Sequence, residues 1–149
     1  QNAQIIVHNP PSDGTLRGTA DEMGIKAITL EVGNPNTFQK GLIRDGLTGI
    51  YNVLGHFDMQ DCEYDEPEEE TIICESSYWI YTDTGGIMTV YPKVVQMVKK
   101  GELIATMRNI FGDVVKEYFA PEDGVVIGKS VSPINSTGGR ILHLGILKS

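Results

Sequence analysis

Two charged residues, Glu31 and Arg17, have side chains and positions suited to acid–base and carboxylate-binding chemistry. Glu31 ends the short β-favouring run 27–30 and precedes Gly33, where a strand must turn into a loop. A carboxylate at the carboxyl end of a strand in an open α/β sheet acts as a general base or pairs with a neighbouring cation. Arg17 can bind a carboxylate through two parallel hydrogen bonds, lie at the surface, or pair with Glu31.

The elements that would position Arg17 begin with a strand over residues 4–8, which the Asn-Pro-Pro sequence after it must end. Asp13 or Thr15 can cap the helix that follows through a side-chain oxygen. Gly24 is a typical C-terminal stop for that helix. The sequence therefore places Arg17 in the first turn of a short helix.

The elements that would position Glu31 are a second, buried strand over residues 26–32 and the long helix after it. Asn36 with Gln39 three residues later is a capping-box pattern for the start of that helix. Large apolar residues then recur at helical spacing and predict one apolar stripe. They are Phe38, Leu42, Leu47, Ile50, Leu54 and Phe57. Residues 4–60 thus predict an α/β fragment of strand, helix, strand and helix, one piece of a larger sheet.

The net charge of −8 is concentrated in one segment, with seven carboxylates between residues 61 and 70. We interpret residues 61–74 as a solvated acidic linker, with cation binding or partner docking as the alternative. An acidic chain without a basic cluster is not typical of nucleic-acid binding. Cys62 and Cys74 flank the acidic run, and without a secretory signal free thiols are expected, although a bridge between them stays open.

Residues 75–149 predict an all-β module, because short β-favouring runs there are separated by Gly and Pro. The sequence that starts at Gly86 recurs at Gly124, and the one at Gly101 recurs at Gly139, 38 positions later in both cases. Two similar halves predict a folded sandwich that resembles the biotinyl/lipoyl-type barrel-sandwich hybrid. Residues 109–113 fall at its hairpin tip but contain no Lys, so a cofactor carrier is not expected.

Four motifs together resemble one enzyme family. The longest is Leu-Arg-Gly-Thr-Ala-Asp-Glu-Met-Gly-Ile-Lys-Ala-Ile-Thr-Leu-Glu-Val-Gly at 16–33, and the others lie at 46–54, 98–102 and 120–124. They resemble the succinylglutamate desuccinylase/aspartoacylase family of zinc-dependent deacylases, relatives of the zinc carboxypeptidases. The match covers nearly the whole chain, which corresponds to the C-terminal portion of those enzymes.

The resemblance implies a role for each candidate residue. Glu31 matches the family's catalytic glutamate, which takes a proton from metal-bound water and passes it to the leaving amine. Arg17 matches an arginine that binds the substrate carboxylate. The family's zinc ligands, a His-x-x-Glu pair and a later His, have no counterpart here, and His8, His56 and His143 are interpreted as ordinary structural residues. Zinc is therefore expected in the intact enzyme, on ligands upstream of this chain, and not in the chain itself.

The sequence predicts the C-terminal part of a zinc-dependent hydrolase that cleaves the amide bond of a small N-acyl amino acid or related compound. By itself this part should be inactive. The alternative is a non-catalytic binding or assembly module that keeps the fold. No apolar run is long enough to span a membrane and no signal peptide is evident, which predicts a cytoplasmic protein. An unpaired sheet edge and the apolar stripe predict a homo-oligomer.

Overall fold

The computed structural model of the chain describes residues 3–10, 12, 14–34, 36–62 and 70–148. Within these residues the fold is mixed α/β, with two helices and nine strands that form two sheets. The chain divides into two compact units. The first contains Gln1–Gln4 and Asn9–Thr71, and the second contains Ile5–His8 and Ile72–Ser149.

The elements follow one another as one strand, two helices and eight strands. The helices are α1 (Leu16–Glu22) and α2 (Lys40–His56). The strands are β1 (Ile5–Val7), β2 (Ile72–Tyr81), β3 (Gly86–Val90), β4 (Met97–Val98), β5 (Leu103–Arg108), β6 (Val114–Phe119), β7 (Gly124–Lys129), β8 (Ile134–Asn135) and β9 (Arg140–Leu147). No helix that the described residues form is long and apolar enough to cross a membrane.

Helix α1 has the ends that the sequence predicts. Thr15 is its N-cap, and the Thr15 hydroxyl accepts a hydrogen bond from the Gly18 backbone N–H at 3.0 Å. Gly24 follows the helix with a φ of +72°, a left-handed conformation that glycine adopts without steric cost. Both local signals, the cap and the stop, are therefore confirmed.

Helix α2 starts at Lys40, and the predicted capping box at Asn36 is wrong. The N-cap is Gln39, whose side chain makes no capping bond. Instead, Gln39 Oε1 accepts from the Asn34 N–H at 2.7 Å, and Asn34 Oδ1 accepts from the Asn36 N–H at 2.9 Å. These bonds form a local turn that competes with helix initiation, so the helix begins one turn later.

The predicted apolar stripe of α2 is not a buried face. The buried residues of the helix are Gly49 and Asn52, while Leu42, Leu47 and Ile50 are exposed. Phe38, which precedes the helix, is 96 % exposed. The first unit therefore presents much of its apolar surface to solvent.

The predicted strand over residues 26–32 is wrong, since these residues form no strand and all of them are exposed. A strand needs a hydrogen-bonded neighbour, and the described residues of the first unit contain none. The predicted strand at 4–8 does form, as β1, but it pairs in parallel with β2 of the second unit, with Ile5 opposite Ile72. The strand-helix-strand-helix fragment is thus reduced to two helices.

The second unit consists of two sheets around one core. One sheet has the order β1-β2-β9-β7-β4 and the other β6-β5-β3-β8. The buried apolar side chains between them form a single cluster. Its members are Met88, Val98, Ile104, Ala105, Met107, Tyr118, Ala120, Val126, Ile141, Leu142 and Leu144. The hydrophobic core of the described residues therefore lies in this unit.

The predicted repeat is confirmed by the strand pairing. β3 pairs with β5 in one sheet and β7 pairs with β9 in the other, both antiparallel. Val90 lies opposite Ala105, and the residues 38 positions later, Gly128 and His143, lie opposite each other as well. The short strands are exchanged, since β4 pairs with β7 and β8 with β3. Each half therefore completes the sheet of the other.

Candidate functional site

Arg17 is the second residue of α1, and it is half-buried. The turn before it is held by Thr15, whose hydroxyl donates to the Ser12 carbonyl at 2.8 Å and accepts from Gly18. A Cβ on the buried Gly18 would overlap the Ser12 carbonyl oxygen, so the close approach requires glycine. The backbone that carries Arg17 is therefore fixed locally.

Glu31 lies in the segment between α1 and α2 and is exposed. It is followed by Gly33, which has a φ of +71° and leads into the turn that Gln39 closes. A Cβ on Gly33 would overlap the Gln39 side chain and lie 3.1 Å from Leu42 Cδ1. Glu31 is thus carried by a loop next to a compact turn, and not by the end of a buried strand as the sequence predicts.

The side chains of Arg17 and Glu31 do not meet each other in an ion pair. Within the described residues, no hydrogen bond or salt bridge joins them or ties either side chain to a third residue. Of the structural alternatives, the ion pair between Arg17 and Glu31 does not form within the described residues. Their roles as base and carboxylate-binding group stay predictions.

The three histidines lie on separate elements. His8 follows β1 and donates its backbone N–H to the Cys74 carbonyl at 2.9 Å. His56 is the last residue of α2 and lies edge-on to Phe57, and His143 is in β9. The predicted placements of His56 at a helix end and His143 in a strand are confirmed.

The donor groups that zinc requires do not come together in the part of the chain that the structure describes. No three His, Cys, Asp or Glu side chains there are close enough to hold a metal ion. Cys62 and Cys74 are free thiols, as predicted, and Cys74 is fully buried. Zinc, which the family resemblance implies, therefore does not fit the residues described.

A polar and aromatic cluster on β2 and β9 is the feature that sequence reasoning missed. The Trp79 and His143 rings stack at 4.8 Å with planes 13° apart, and the Arg140 guanidinium lies 4.6 Å from the Trp79 centroid. His143 Nε2 lies 2.9 Å from the Ser77 hydroxyl. Such stacking and cation–π contacts contribute about 0.5–1.5 kcal/mol each. The signal available in the sequence was Trp79, the only tryptophan of the chain.

Tyr78 and Glu122 form a second polar contact in this unit. The Tyr78 hydroxyl donates to Glu122 at 2.8 Å. Burial of the phenol, followed by this bond, raises the pKa of Tyr78 to about 12. Tyr78 therefore stays protonated near neutral pH and serves as a hydrogen-bond donor, not as a base.

Asp83 accepts hydrogen bonds from two side chains of β6. Lys116 Nζ lies 2.9 Å from one carboxylate oxygen, and the Tyr118 hydroxyl donates to the other at 2.8 Å. The hydrogen bond from Lys116 and then that from Tyr118 hold the pKa of Asp83 below its usual value. The arrangement fixes the turn after β2 against β6, which is a structural role.

The hairpin between β5 and β6 ends in a tip with several internal hydrogen bonds. Asn109 Oδ1 accepts the N–H groups of Phe111 and Asp113, and Asn109 Nδ2 donates to the Asp113 carboxylate at 3.0 Å. Gly112 has a φ of +93°, which suits glycine in a tight turn. The predicted tip at 109–113 is confirmed, and it presents Ile110 and Phe111 to solvent.

Comparison with known proteins identifies solved structures that have the same fold. No protein-family model and no curated protein matches the sequence. Among solved structures, the ectoine utilization protein EutE (DoeB) of Ruegeria pomeroyi has a TM-score of 0.88 at 23 % identity, over 97 % of this chain and 47 % of its own. A succinylglutamate desuccinylase from a Silicibacter species has a TM-score of 0.83 at 20 % identity, and the match covers 97 % of this chain and 45 % of that one. A succinylglutamate desuccinylase/aspartoacylase of Rhodobacter sphaeroides has a TM-score of 0.84 at 17 % identity, and the match covers 99 % of this chain and 46 % of that one.

Two of these three proteins belong by description to the family that the sequence resembles. The resemblance is therefore confirmed at the level of the fold, which is what identities below 25 % support. The chain spans about half the length of the solved structures that it matches.

Proposed function

We propose that the chain is the C-terminal part of a zinc-dependent hydrolase that cleaves the amide bond of a small N-acyl amino acid or a related compound. The observation that carries the proposal is the shared fold with desuccinylase and aspartoacylase structures over almost the entire chain. The motif at 16–33, which contains both candidate residues, is the second support. Because function resides in sites and not in folds, the proposal depends on Glu31 and Arg17.

Glu31 is proposed as the general base, and Arg17 as the group that binds the substrate carboxylate. In amide hydrolysis a carboxylate takes a proton from the attacking water and delivers it to the leaving amine. A guanidinium holds a carboxylate in a fixed orientation through two parallel hydrogen bonds. Both side chains are without ion-pair partners among the described residues, so neither must break a structural contact to act.

We propose that the zinc ligands belong to residues outside these 149, because the sequence has no counterpart of the family's His-x-x-Glu pair and later His. The described residues, in addition, contain no group of three possible ligands. The chain alone is accordingly proposed to be inactive, and no catalytic step is assigned to metal on it. The experiment is metal analysis of the chain purified without chelator, with the intact protein as the comparison. Stoichiometric zinc on the chain alone would contradict this part of the proposal.

The role of Glu31 is tested in the intact protein by Glu31→Gln, which keeps the shape and removes the base. We expect the catalytic rate to fall by about 10² or more, the usual scale of acid–base catalysis. The matched control is Glu22→Gln, at the exposed last residue of α1, which should leave the rate unchanged. Zinc content should be equal in all three proteins. A near-normal rate in Glu31→Gln would remove Glu31 from the mechanism.

The role of Arg17 is tested by Arg17→Ala, which should raise KM with a smaller effect on kcat if the guanidinium only holds substrate. Arg17→Lys should restore little, because an ammonium cannot form two parallel bonds in a fixed plane. Arg44→Ala is the matched control, since Arg44 is an exposed arginine of α2 whose ion pair among the described residues is with its neighbour Asp45, at 3.8 Å. Equal effects of Arg17→Ala and Arg44→Ala on KM would refute the assignment.

The second candidate function is a non-catalytic binding or assembly module, and the exposed apolar surface of α2 favours it. Ile43, Leu47, Ile50 and Tyr51 are all exposed on this helix. Exposed apolar patches of this kind mark interaction sites. Zinc-loaded intact protein that binds N-acyl amino acids without hydrolysing them would favour this function over the enzyme. Under either function we propose that the protein self-associates.

A further inference from the structure

The turn that follows Glu31 is closed by a side chain from the start of α2. Gln39 Oε1 accepts a hydrogen bond from the Asn34 backbone N–H at 2.7 Å. The Asn34 carbonyl oxygen in turn accepts from the Thr37 N–H at 3.2 Å. A Cβ on Gly33 would overlap Gln39 Oε1, so the glycine leaves the space that this acceptor occupies. Gln39 therefore holds the backbone three residues beyond Glu31.

Gln39 also connects this turn to α2 through its main chain. Its carbonyl oxygen accepts from the Ile43 N–H at 3.0 Å, which is the bond that begins the helix. A second contact with α2 lies on the other side of the turn, since a Cβ on Gly46 would lie 3.6 Å from Val32 Cγ2. The residue next to Glu31 and the turn after it are thus both held by the same helix.

The choice of Gln39 as N-cap is unusual for a helix. N-cap residues normally accept an N–H of the first turn of their own helix, and Ser, Thr, Asp and Asn are preferred for this reason. Thr15 does so at the start of α1, whereas the Gln39 side chain makes no capping bond to α2. The local sequence thus fixes the turn beside Glu31 and leaves the start of α2 without a side-chain cap. Such departures from local rules are expected at functional sites.

We propose that Gln39 is a positioning residue for Glu31, which it acts on through its hydrogen bond to Asn34. The inference rests on the proposed function, in which Glu31 is the general base. Residues 26–32 form no strand, so sheet hydrogen bonds do not fix the backbone of Glu31, and the turn closed by Gln39 takes their place. A base must stay within hydrogen-bond reach of the proton that it takes, and a displacement of about 1 Å can cost about 10² in rate.

The test compares two substitutions of Gln39 in the intact protein. Gln39→Met keeps the length of the side chain and removes the acceptor, whereas Gln39→Glu keeps an acceptor at the same atom. The assay measures release of the free amino acid from a panel of N-acetyl and N-succinyl amino acids. Gln39→Met should lower kcat about tenfold and leave KM within about twofold, because substrate binding is assigned to Arg17. Gln39→Glu should keep kcat within about threefold, since a carboxylate accepts the same bond.

A third variant, Gln39→Ser, separates positioning from stability. Serine is a preferred N-cap but cannot reach Asn34, so Tm should not fall while kcat falls as in Gln39→Met. The matched control is Gln96→Met, because Gln96 Oε1 accepts from the Lys93 N–H at 2.9 Å in the second unit, and kcat should stay unchanged. Amide hydrogen exchange at Asn34 is a readout independent of activity. It should become faster in Gln39→Met and Gln39→Ser but not in Gln39→Glu.

The comparison of Glu31→Gln with Glu31→Gln/Gln39→Met decides whether Gln39 acts through Glu31. Once the base is gone, the second change should lower kcat by no more than about twofold. An equal loss from Gln39→Met in both backgrounds would overturn the proposal, and so would a loss in Gln96→Met as large as that in Gln39→Met.

Failure of this inference is distinguishable from failure of the proposed function. If Glu31→Gln lowers kcat and Gln39→Met does not, Glu31 remains the base and the positioning role of Gln39 is wrong. If Glu31→Gln itself has a normal kcat, the proposed function fails at Glu31, and the positioning role fails with it.

Discussion

The contact between Gly145 and Cys74 inside the five-stranded sheet gives a prediction whose size follows from the structure. Gly145 lies on β9 between Ser77 of β2 and Val125 of β7. A Cβ built on Gly145 would lie 2.6 Å from Cys74 Sγ and 2.8 Å from Ile127 Cδ1, closer than real Cβ atoms approach other atoms. Gly145→Ala should therefore destabilise the protein by about 1–3 kcal/mol, the usual cost of overpacking a filled core.

Gly128→Ala is the matched control, because Gly128 lies on β7 of the same sheet with space around it. A Cβ there would lie 3.9 Å from Trp79 and 4.0 Å from His143, which is ordinary van der Waals contact. Alanine in a strand is favoured over glycine by about 0.5–1 kcal/mol, so this variant should be neutral or more stable. The same change, glycine to alanine, is thus expected to destabilise the protein at Gly145 and to leave it as stable or make it more stable at Gly128, within one sheet.

The assay is urea unfolding followed by the fluorescence of Trp79, the single tryptophan, which lies on β2 of this sheet. In thermal unfolding, a domain the size of the second unit loses about 4–8 °C for each kcal/mol, so Gly145→Ala should lower Tm by about 4–24 °C. Far-UV circular dichroism is the second probe. A Gly145→Ala protein as stable as Gly128→Ala would refute the packing argument.

A double-mutant cycle identifies the obstructing atom. Cys74→Ala removes the sulfur that the new methyl group would strike but leaves Ile127 in place. The double variant Cys74→Ala/Gly145→Ala should therefore be more stable than the sum of the two single effects predicts, with a coupling of about 0.5–3 kcal/mol. Simple additivity would show that Cys74 is not the obstacle.

Three further changes test the second unit. Val95, a β-branched residue with a φ of +71°, is strained by about 1–2 kcal/mol, so Val95→Gly should raise the urea midpoint despite the entropy that glycine loses on folding. Leu144→Ala, at a fully buried core position, should cost about 2–5 kcal/mol in the same titration. Asp83→Asn should destabilise the protein at pH 7, because the pKa of Asp83 is lower in the folded protein than in the unfolded chain. This stabilisation is present above the pKa of the unfolded aspartate, about 4, and is lost as the pH falls below it. The difference in Tm between Asp83→Asn and the unmodified protein should therefore shrink below about pH 4. An Asp83→Asn deficit that stays constant down to pH 2 would show that Lys116 and Tyr118 do not act through the Asp83 charge.

The sequence by itself determined the features that depend on neighbouring residues or on internal similarity. Thr15 and Gly24 delimit α1 because a cap and a left-handed stop are local interactions. The repeat with its spacing of 38 residues predicted two related halves, because similar sequences adopt similar strands. The hairpin tip at 109–113 was predictable for the same reason as α1, since Asn109 and Gly112 are turn residues.

The partners of the strands were decided only by the tertiary structure. Residues 26–32 and residues 5–7 both have β-favouring sequences, but only the second group forms a strand, because β2 offers it an edge to pair with. The cluster of Trp79 and His143, and the pairing of Asp83 with Lys116, join residues far apart in sequence. Hydrogen bonds between strands and contacts between faces are non-local, and no local pattern specifies which edge or face will be near. The position of Glu31 on a loop has the same cause: a carboxylate is held at the end of a strand only where a second strand supports it.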